Sequence, residues 1–237
     1  MAKKITLSIV IPTWNEEKYL PRLLNSIKKQ NYETYEIIIA DADSKDKTRK
    51  IAKNYGCKVV KGGMPAVGRN NGAKNARGEI ILFLDADSEV ENDFIENALA
   101  NIKEKNIDVA GSYLYPSTNK ILDKIFLSVF NLWIFLTQYF YPNACGTGVF
   151  CKKWLHEKIK GFDKSVKLGE DMDYVKRAGK FGKFGIIENS RVIYSMRRYE
   201  NEGRLNVGLK LFLSAAYRLI FGEIRTDAFN YNLKYKK

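Results

Sequence analysis

A regular alternation of short apolar runs and amphipathic segments in the first half of the chain constrains the fold most strongly. The predicted strands are residues 5–11, 36–40, 57–61, 79–84 and 107–111. Four helices are predicted between them, at residues 16–29, 46–55, 66–77 and 92–105. Strands covered on both faces are apolar almost throughout, and strands separated by helices of about ten to fifteen residues build parallel sheets with right-handed crossovers. The alternation therefore predicts an α/β fold with a mostly parallel sheet flanked by helices.

The size and composition of the chain fit one large domain with a short extension. Its 237 residues are 45% hydrophobic and 28% charged, which excludes a disordered chain, a collagen and a disulfide scaffold. We expect a catalytic domain over residues 1–200 and a C-terminal amphipathic helix with a basic tail over residues 201–237. Three cysteines without a CxxC pair, Cys57, Cys145 and Cys151, indicate reduced thiols in a cytosolic protein. The one histidine, His156, excludes a His-rich zinc site and is expected to be structural or at the surface.

Polar and acidic side chains follow three of the predicted strands, at the point where each strand ends. The first strand is followed by residues 12–16 (PTWNE), the second by residues 41–44 (DADS) and the fourth by residues 85–88 (DADS). Ligands of parallel α/β sheets bind beyond the carboxyl ends of the strands. The sequence therefore predicts that these three segments line one binding site.

Asp85 and Asp87 are candidates for a cation site, because two carboxylates spaced i and i+2 after a buried strand can share one hard cation. Turn capping is the alternative, since aspartate is common in turns. Neither a P-loop nor a GxGxxG fingerprint is present, so a phosphate group has to be held in another way. A cation that neutralises a diphosphate, with arginines nearby, is one such way.

Six short motifs occur in an order and spacing that resemble the family 2 glycosyltransferases, which have the GT-A fold. They are residues 8–16 (SIVIPTWNE), 36–48 (EIIIADADSKDKT), 68–73 (GRNNGA), 78–87 (GEIILFLDAD), 161–163 (GFD) and 169–173 (GEDMD). The resemblance implies an enzyme that moves a sugar from a nucleoside-diphosphate-sugar to an acceptor. It also implies a Rossmann-like GT-A sheet and a Mg²⁺ or Mn²⁺ cofactor.

The resemblance assigns the donor site to residues of the first four motifs. Pro12, Trp14 and Glu16 would line the base and ribose, and Asp41 would lie near the edge of the base. The usual Asp-Asp-Gly-Ser pattern is altered, because Ala42 replaces the second Asp and Asp43 replaces the Gly. Asp43 is included among the donor-binding candidates, and the choice between a UDP and a GDP donor stays open.

The remaining implied roles concern the phosphates and the reaction. Arg69 would reach the ribose-phosphate region, and Asp85 and Asp87 form the Asp-x-Asp motif, with Asp87 expected to contact the metal directly. Arg197 and Arg198, in a Ser-x-Arg-Arg stretch found in one branch of the family, could clamp the diphosphate. Two solvated arginines in a basic protein are the alternative at those positions.

Glu170 and Asp171 match the Glu-Asp motif of the family, in which the aspartate is the general base. An inverting transfer needs a carboxylate that accepts the proton of the acceptor hydroxyl as its oxygen attacks the anomeric carbon. The alternative is structural, since acidic residues in the first turn of a helix are stabilised by the helix dipole.

Two segments outside the motifs, residues 121–141 and 205–221, have the period of amphipathic helices with wide apolar faces. Neither is expected to span a bilayer. They fit helices that lie in a lipid interface, and the alternative is that they pack on each other or on the domain. A lipid interface would place the protein peripherally on the cytoplasmic face of the cell membrane, with a polyprenyl phosphate or a glycolipid as acceptor. No signal peptide is predicted at the start of the chain.

The net charge of +13, from 40 basic and 27 acidic residues, favours anionic partners such as an anionic membrane surface. No nucleic-acid partner is expected, because Lys and Arg are spread along the chain rather than interleaved with aromatic residues on one face. The alternatives to a glycosyltransferase are a nucleotidyltransferase and a non-catalytic scaffold that binds nucleic acid or other anions. A nucleotidyltransferase would need a Gly-rich phosphate loop near the first strand, and residues 12–16 do not form one.

Overall fold

The computed structural model describes residues 4–226, and the predicted basic tail, residues 227–237, lies outside the described residues. The strands are β1 (Leu7–Thr13), β2 (Tyr35–Asp41), β3 (Lys58–Lys61), β4 (Ile80–Phe83), β5 (Glu89–Val90), β6 (Val109–Pro116), β7 (Val149–Lys152) and β8 (Phe184–Tyr194). The helices are α1 (Leu20–Lys28), α2 (Thr48–Asn54), α3 (Pro65–Lys74), α4 (Phe94–Glu104), α5 (Ile121–Thr137), α6 (Lys153–Lys158), α7 (Glu170–Ala178), α8 (Arg197–Glu202) and α9 (Arg204–Phe221).

The strands form one mixed sheet in the order β3-β2-β1-β4-β7-β6-β8-β5. The half built from β1 to β4 is parallel, as the sequence predicts. In the other half, β7 runs antiparallel to both β4 and β6, β8 is parallel to β6, and β5 is antiparallel to β8. The α/β fold with a mostly parallel sheet is therefore confirmed.

Helices cover both faces of the sheet and bury two apolar clusters. On β1, Leu7, Ile9 and Ile11 belong to one cluster, whereas Val10 belongs to the other. This alternation explains why the strand is apolar at nearly every position. The buried His156 packs against Phe83, Phe162 and Tyr174 of the second cluster; its Nδ1 is 2.9 Å from the Tyr174 hydroxyl, and burial lowers its pKa to about 4. The prediction of a structural histidine is confirmed.

Side-chain contacts hold α5 and α9 beside the sheet. Asn131 on α5 accepts a hydrogen bond from the Leu114 N–H at 3.0 Å and donates one to the Leu114 carbonyl at 2.8 Å. The buried Asp123 of α5 accepts two hydrogen bonds from Arg204 of α9, at 2.6 and 2.9 Å. The two helices therefore start from a shared ion pair. In residues 4–226, no helix is both long enough and apolar enough to cross a bilayer.

Most of the large apolar side chains of these two helices point away from the protein. On α9, Ser214 and Arg218 are buried, whereas the large apolar side chains on the opposite face are exposed. Those exposed on α9 are Leu205, Leu209, Phe212, Leu213, Leu219, Ile220 and Phe221. Those exposed on α5 are Ile121, Leu122, Ile125, Val129, Leu132, Phe135 and Leu136. Of the two sequence-based alternatives, packing on the domain is present only in part: Leu127 of α5 and Val207 of α9 are buried in the first apolar cluster, whereas most of the large apolar side chains of both helices are exposed.

Candidate active site

A cavity of about 780 Å³ opens beyond the carboxyl ends of β1 and β4. It brings together ten of the twelve residues predicted for the site. These are Pro12, Trp14, Glu16, Arg69, Asp85, Asp87, Glu170, Asp171, Arg197 and Arg198. The other two, Asp41 and Asp43, line a second cavity of about 690 Å³ at the ends of β2 and β3.

The loop after β1 is fixed by hydrogen bonds to the loop after β2. Asn15 has a positive φ of 54°, which turns the chain sharply after Trp14. Its N–H donates to the Ser44 hydroxyl at 2.9 Å, and the Glu16 N–H donates to the Thr48 hydroxyl at 2.8 Å. These two hydrogen bonds fix the backbone of the turn, and the Glu16 side chain lines the cavity.

Arg197 joins two acidic side chains that come from different strand ends. Its guanidinium donates two hydrogen bonds to Glu16, both at 3.0 Å, and lies 3.1 Å from Asp87. Burial raises the pKa of Asp87 to about 6, and the nearby carboxylates of Asp85 and Glu16 act in the same direction, whereas Arg197 lowers it. This corner of the cavity therefore concentrates negative charge around one arginine.

Arg69 links the Asp-x-Asp motif to the Glu-Asp motif. Its side chain is 4% exposed and donates to Asp85 at 2.7 Å and to Glu170 at 2.9 Å. Burial alone would lower its pKa, but the carboxylates of Asp85, Glu170 and Asp171 raise the pKa above its ordinary value. A Cβ at Gly146 would lie 2.6 Å from the Arg69 Nη2, so a glycine is needed opposite this guanidinium.

Asp171 lies in the first turn of α7, where the chain enters the helix through Gly169 at φ 78°. Its Oδ1 accepts a hydrogen bond from the Met172 N–H at 2.8 Å. Burial and the charge of Glu170 raise its pKa, whereas the guanidinium groups of Arg69 and Arg218 oppose the rise. A buried carboxylate with a raised pKa is better suited to accept a proton than a solvated one.

Asp41 and Asp43 have different environments, although only one residue separates them. Asp41 is buried and accepts hydrogen bonds from the Ser44 N–H at 3.0 Å and the Thr13 hydroxyl at 3.1 Å. Asp43 is exposed and pairs with Lys45 at 2.7 Å. Its φ of 62° lies in the left-handed region, which glycine adopts freely and aspartate tolerates. This conformation explains how Asp43 can replace the usual glycine.

The paired arginines differ in their contacts. Arg198 donates to Glu202 at 3.1 Å within α8, whereas Arg197 contacts the carboxylates of the cavity. Both side chains are partly buried, so the alternative of two solvated arginines is excluded.

The carboxylates of Asp85 and Asp87 fit a hard divalent cation. Both side chains keep some exposure within the cavity, at 32% and 22%. Oxygen donors suit Mg²⁺ and Mn²⁺, and two carboxylates leave other coordination positions for phosphate oxygens and water. Within the described part of the chain, no group of three or more His, Cys, Asp and Glu residues could hold a metal.

Sequence reasoning missed one wall of the cavity, which α5 and α9 form. That wall is apolar, with one buried arginine, and its residues are Phe126, Phe130, Trp133, Leu211, Ala215 and Arg218. The available signal was the polar repeat of α9, in which Lys210, Ser214 and Arg218 recur every four residues.

The mixed sheet, with a cavity beyond the carboxyl ends of its strands, has the GT-A type of fold. The sequence profile of glycosyl transferase family 2 matches residues 8–158, and the chain belongs to this family. This membership favours a transferase over the nucleotidyltransferase and scaffold alternatives.

Three relatives illustrate the similarity. TarS of Staphylococcus aureus, a poly(ribitol-phosphate) β-N-acetylglucosaminyltransferase, is 35% identical over 112 residues, which cover 43% of this chain and 20% of TarS. The crystal structure of TarS 1–349 with UDP-GlcNAc matches with a TM-score of 0.68 and 22% identity, covering 80% of this chain and 58% of that one. The mannosyltransferase PcManGT of Pyrobaculum calidifontis, in complex with GDP-Man and Mn²⁺, matches with a TM-score of 0.65 and 18% identity, covering 79% and 56%.

For the third relative, the match covers a larger share of the relative's own length. It is the dolichyl N-acetyl-α-D-glucosaminyl phosphate 3-β-D-2,3-diacetamido-2,3-dideoxy-β-D-glucuronosyltransferase of Methanococcus voltae, 27% identical over 212 residues. The match covers 80% of this chain and 66% of that enzyme. The chain thus spans a fifth of TarS and about two thirds of the archaeal enzyme.

Proposed function

We propose that this chain is a metal-dependent, inverting glycosyltransferase that moves a sugar from a nucleoside-diphosphate-sugar to a hydroxyl of a lipid-linked acceptor. One observation carries the proposal: Arg69 holds Asp85 and Glu170 in one cavity, at 2.7 and 2.9 Å. The residues for the donor diphosphate and the carboxylates for the transfer are therefore joined by a single buried side chain.

The donor would occupy the part of the cavity next to β1 and β4, and extend toward the ends of β2 and β3. Pro12, Trp14 and Glu16 would line the base and ribose, with Asp41 and Asp43 at the far end. Asp87 and Asp85 would hold Mg²⁺ or Mn²⁺, which neutralises the diphosphate and stabilises the charge that grows on it. The GDP-Man and Mn²⁺ complex of PcManGT supports this use of a cation.

Arginines of the chain would act on the same diphosphate. Arg197 already spans Glu16 and Asp87, so its guanidinium lies where the negative charge of a donor would be placed. Arg198 lies beside it in α8, and Arg69 lies on the other side of the Asp-x-Asp motif. Guanidinium groups suit this role because they offer paired donors to phosphate oxygens.

Asp171 would be the general base, and the neighbouring Glu170, which contacts Arg69, would help to set its charge. The acceptor oxygen attacks the anomeric carbon as Asp171 takes the hydroxyl proton. The bond between the anomeric carbon and the diphosphate oxygen breaks on the opposite face, and its electrons leave with the diphosphate. One carboxylate suffices because the departing diphosphate needs no proton.

The apolar wall of the cavity supports an acceptor that carries a lipid. Phe126, Phe130 and Trp133 of α5 face Leu211 and Ala215 of α9 across it. The archaeal relative, named for a dolichyl sugar phosphate, supports the same class of acceptor. The exposed apolar faces of α5 and α9, with the net charge of +13, fit a peripheral position on the cytoplasmic face of an anionic membrane.

Thermal stabilisation by UDP and GDP, each with and without Mn²⁺, tests the donor half of the proposal. We expect a metal-dependent shift with one nucleotide, which Asp87→Ala abolishes. Asp171→Asn should keep that shift but lower the rate of sugar transfer by a factor of about 10² or more. Glu104→Ala, at an exposed acidic residue outside the cavity, is the control for both measurements. Equal loss of donor binding in the Asp87 and Asp171 variants would contradict the assigned roles.

A further inference from the structure

Arg218 of α9 is a buried cation with unused hydrogen-bond donors at the cavity wall. Its side chain is 4% exposed, and its Nε donates to Glu223 at 2.8 Å. Its Nη1 lies 2.6 Å from the Met172 sulfur, which is a weak acceptor. The buried Nη2 has no hydrogen-bond partner within residues 4–226.

The carboxylate of Glu223 does not neutralise all the positive charge near Arg218. Glu223 also lies 3.6 Å from Lys176, so two cations share one carboxylate. Lys167 adds a further positive charge at the exposed rim of the same cavity. Buried charged donors without acceptors are unfavourable, and an anionic ligand would satisfy them.

The position of Arg218 relates this charge to the reaction. A Cβ at Gly169 would lie 3.2 Å from the Arg218 Nη1, so the guanidinium packs on the residue that precedes the Glu-Asp motif. Ala215 and Leu211, one and two turns earlier on α9, line the apolar wall. The wall therefore ends at a cation beside the carboxylate that would accept the proton.

We propose that Arg218 binds the phosphate of the lipid-linked acceptor, while the lipid chain lies along the wall between α5 and α9. This inference rests on the proposed function and names the residue that positions its acceptor. The acceptor chemistry follows from the surface: an apolar chain for the aromatic and aliphatic wall, and an anionic oxygen for the Nη2 donors.

Calorimetry with farnesyl phosphate, farnesol and inorganic phosphate as probes tests the inference on the full chain. We expect Arg218→Met to weaken the binding of farnesyl phosphate by about tenfold or more, since the lost hydrogen bonds are to a charged group. Farnesol binding should stay unchanged in this variant. Glu223→Gln is the matched control: it breaks the same ion pair but keeps the guanidinium, so farnesyl phosphate should bind as well as before or more tightly.

Three results would overturn the inference. The first is equal weakening of farnesyl phosphate binding in the Arg218→Met and Glu223→Gln variants, which would make Arg218 a structural residue. The second is binding of inorganic phosphate as tight as that of farnesyl phosphate, which would mean that the lipid chain does not contribute to binding. The third result concerns Arg218→Lys, which keeps the charge without the Nη2 donors and is used if Arg218→Met fails to fold. Unchanged affinity of this variant for farnesyl phosphate would overturn the inference.

The metal-dependent nucleotide shift is measured on the same samples and separates the two proposals. Wild-type protein without that shift would contradict the donor site. A normal shift together with any of the three overturning results would contradict only the role of Arg218.

Discussion

At the scale of single residues, the surroundings of Asp171 determine the pH at which it can accept a proton. Its pKa is raised by burial and by Glu170, while Arg69 and Arg218 act in the opposite direction. A general base works only as the carboxylate, so kcat should fall as the pH drops through this raised pKa. The ordinary pKa of an aspartate is about 4. The acidic limb of the pH-rate profile should therefore lie above that value.

Glu170→Gln should move that acidic limb to lower pH. The substitution removes a neighbouring negative charge and frees Arg69 to act on Asp171, and both changes favour the carboxylate form. The position of the limb is the measurement, whatever the maximal rate of the variant. Glu104→Gln should leave the limb in place, and a limb that stays fixed in the Glu170 variant would exclude Asp171 as the titrating base.

Arg197 leads to a prediction about stability and metal. Without its guanidinium, Glu16 and Asp87 would have no cation between them. We expect Arg197→Met to lose about 1–2 kcal/mol of stability in EDTA, or roughly 2–8 °C in Tm. Mn²⁺ should restore more of the Tm in this variant than it adds to the wild type.

The control for this prediction is Arg191→Met, at an exposed arginine 4.0 Å from Glu91. Its Tm should respond to Mn²⁺ as the wild type does. The same response in both variants would mean that Arg197 does not neutralise Glu16 and Asp87.

The acidic half of the site was predictable at this scale because its residues follow apolar strands directly. Asp85 and Asp87 come at the end of a run whose burial the sequence makes plain, and Asp171 belongs to a recognisable motif. Arg218 belongs to no motif, and its role depends on which face of α9 is buried. The sequence pattern favours burial of the apolar face of a helix, whereas in α9 the polar Ser214 and Arg218 are buried together with Val207, and most of the large apolar side chains are exposed.

At the scale of elements, the space around two helical glycines predicts opposite effects of substituting them by alanine. Gly72 of α3 packs closely on β1, whereas Gly208 of α9 has room for a methyl group. A Cβ at Gly72 would overlap the Val10 side chain of β1, whereas a Cβ at Gly208 would lie 3.8 Å from Phe126. Gly72→Ala should destabilise the protein by about 1–3 kcal/mol through overpacking. Gly208→Ala should stabilise it by up to about 1 kcal/mol, because alanine restricts the unfolded chain.

Urea unfolding of the two variants measures both changes in the free energy of unfolding. Each substitution adds one methyl group to a helix, so helix propensity alone would predict the same sign for both. Stabilisation by both substitutions would therefore contradict the close packing of α3 on β1.

The parallel half of the sheet was predictable, whereas of the mixed half only β6 was predicted, as residues 107–111 instead of Val109–Pro116. Strands β1 to β4 are apolar runs between clear helices, and their ends differ by at most two residues from the prediction. β5 has two residues, which is too short for a periodic signal, and β7 is antiparallel to β4, so it lies outside the alternation of parallel strands and helices that predicted the others. β8 carries the polar residues Glu188, Asn189 and Arg191 next to a register shift against β6, so its pattern does not alternate cleanly.

At the scale of the whole molecule, the charge and the exposed apolar helix faces predict binding to anionic vesicles. The double variant Leu209→Glu, Phe212→Glu should weaken this binding by about tenfold or more, since each substitution would add a negative charge to the exposed apolar face of α9. Its Tm should be unchanged because both residues are exposed, at 58% and 69%. Vesicle sedimentation at two salt concentrations measures the apolar and the electrostatic contributions.

Phe181→Glu is the control, since Phe181 is 54% exposed and lies outside α5 and α9. It should bind vesicles like the wild type. Equal weakening in the control would indicate a general effect of charge, and the two helices would then have no special role at the membrane.

The hydrogen bonds of Asn131 have a consequence for the association of whole molecules. β7 pairs with β6 only at Val109 and Ala110, so from there on that side of β6 has no neighbouring strand among the described residues. Asn131 occupies both backbone groups of Leu114 on this open edge, as a strand from another chain would do. Helix α5 thus protects the sheet against edge-to-edge pairing, and loosening it would lead to aggregation through β6.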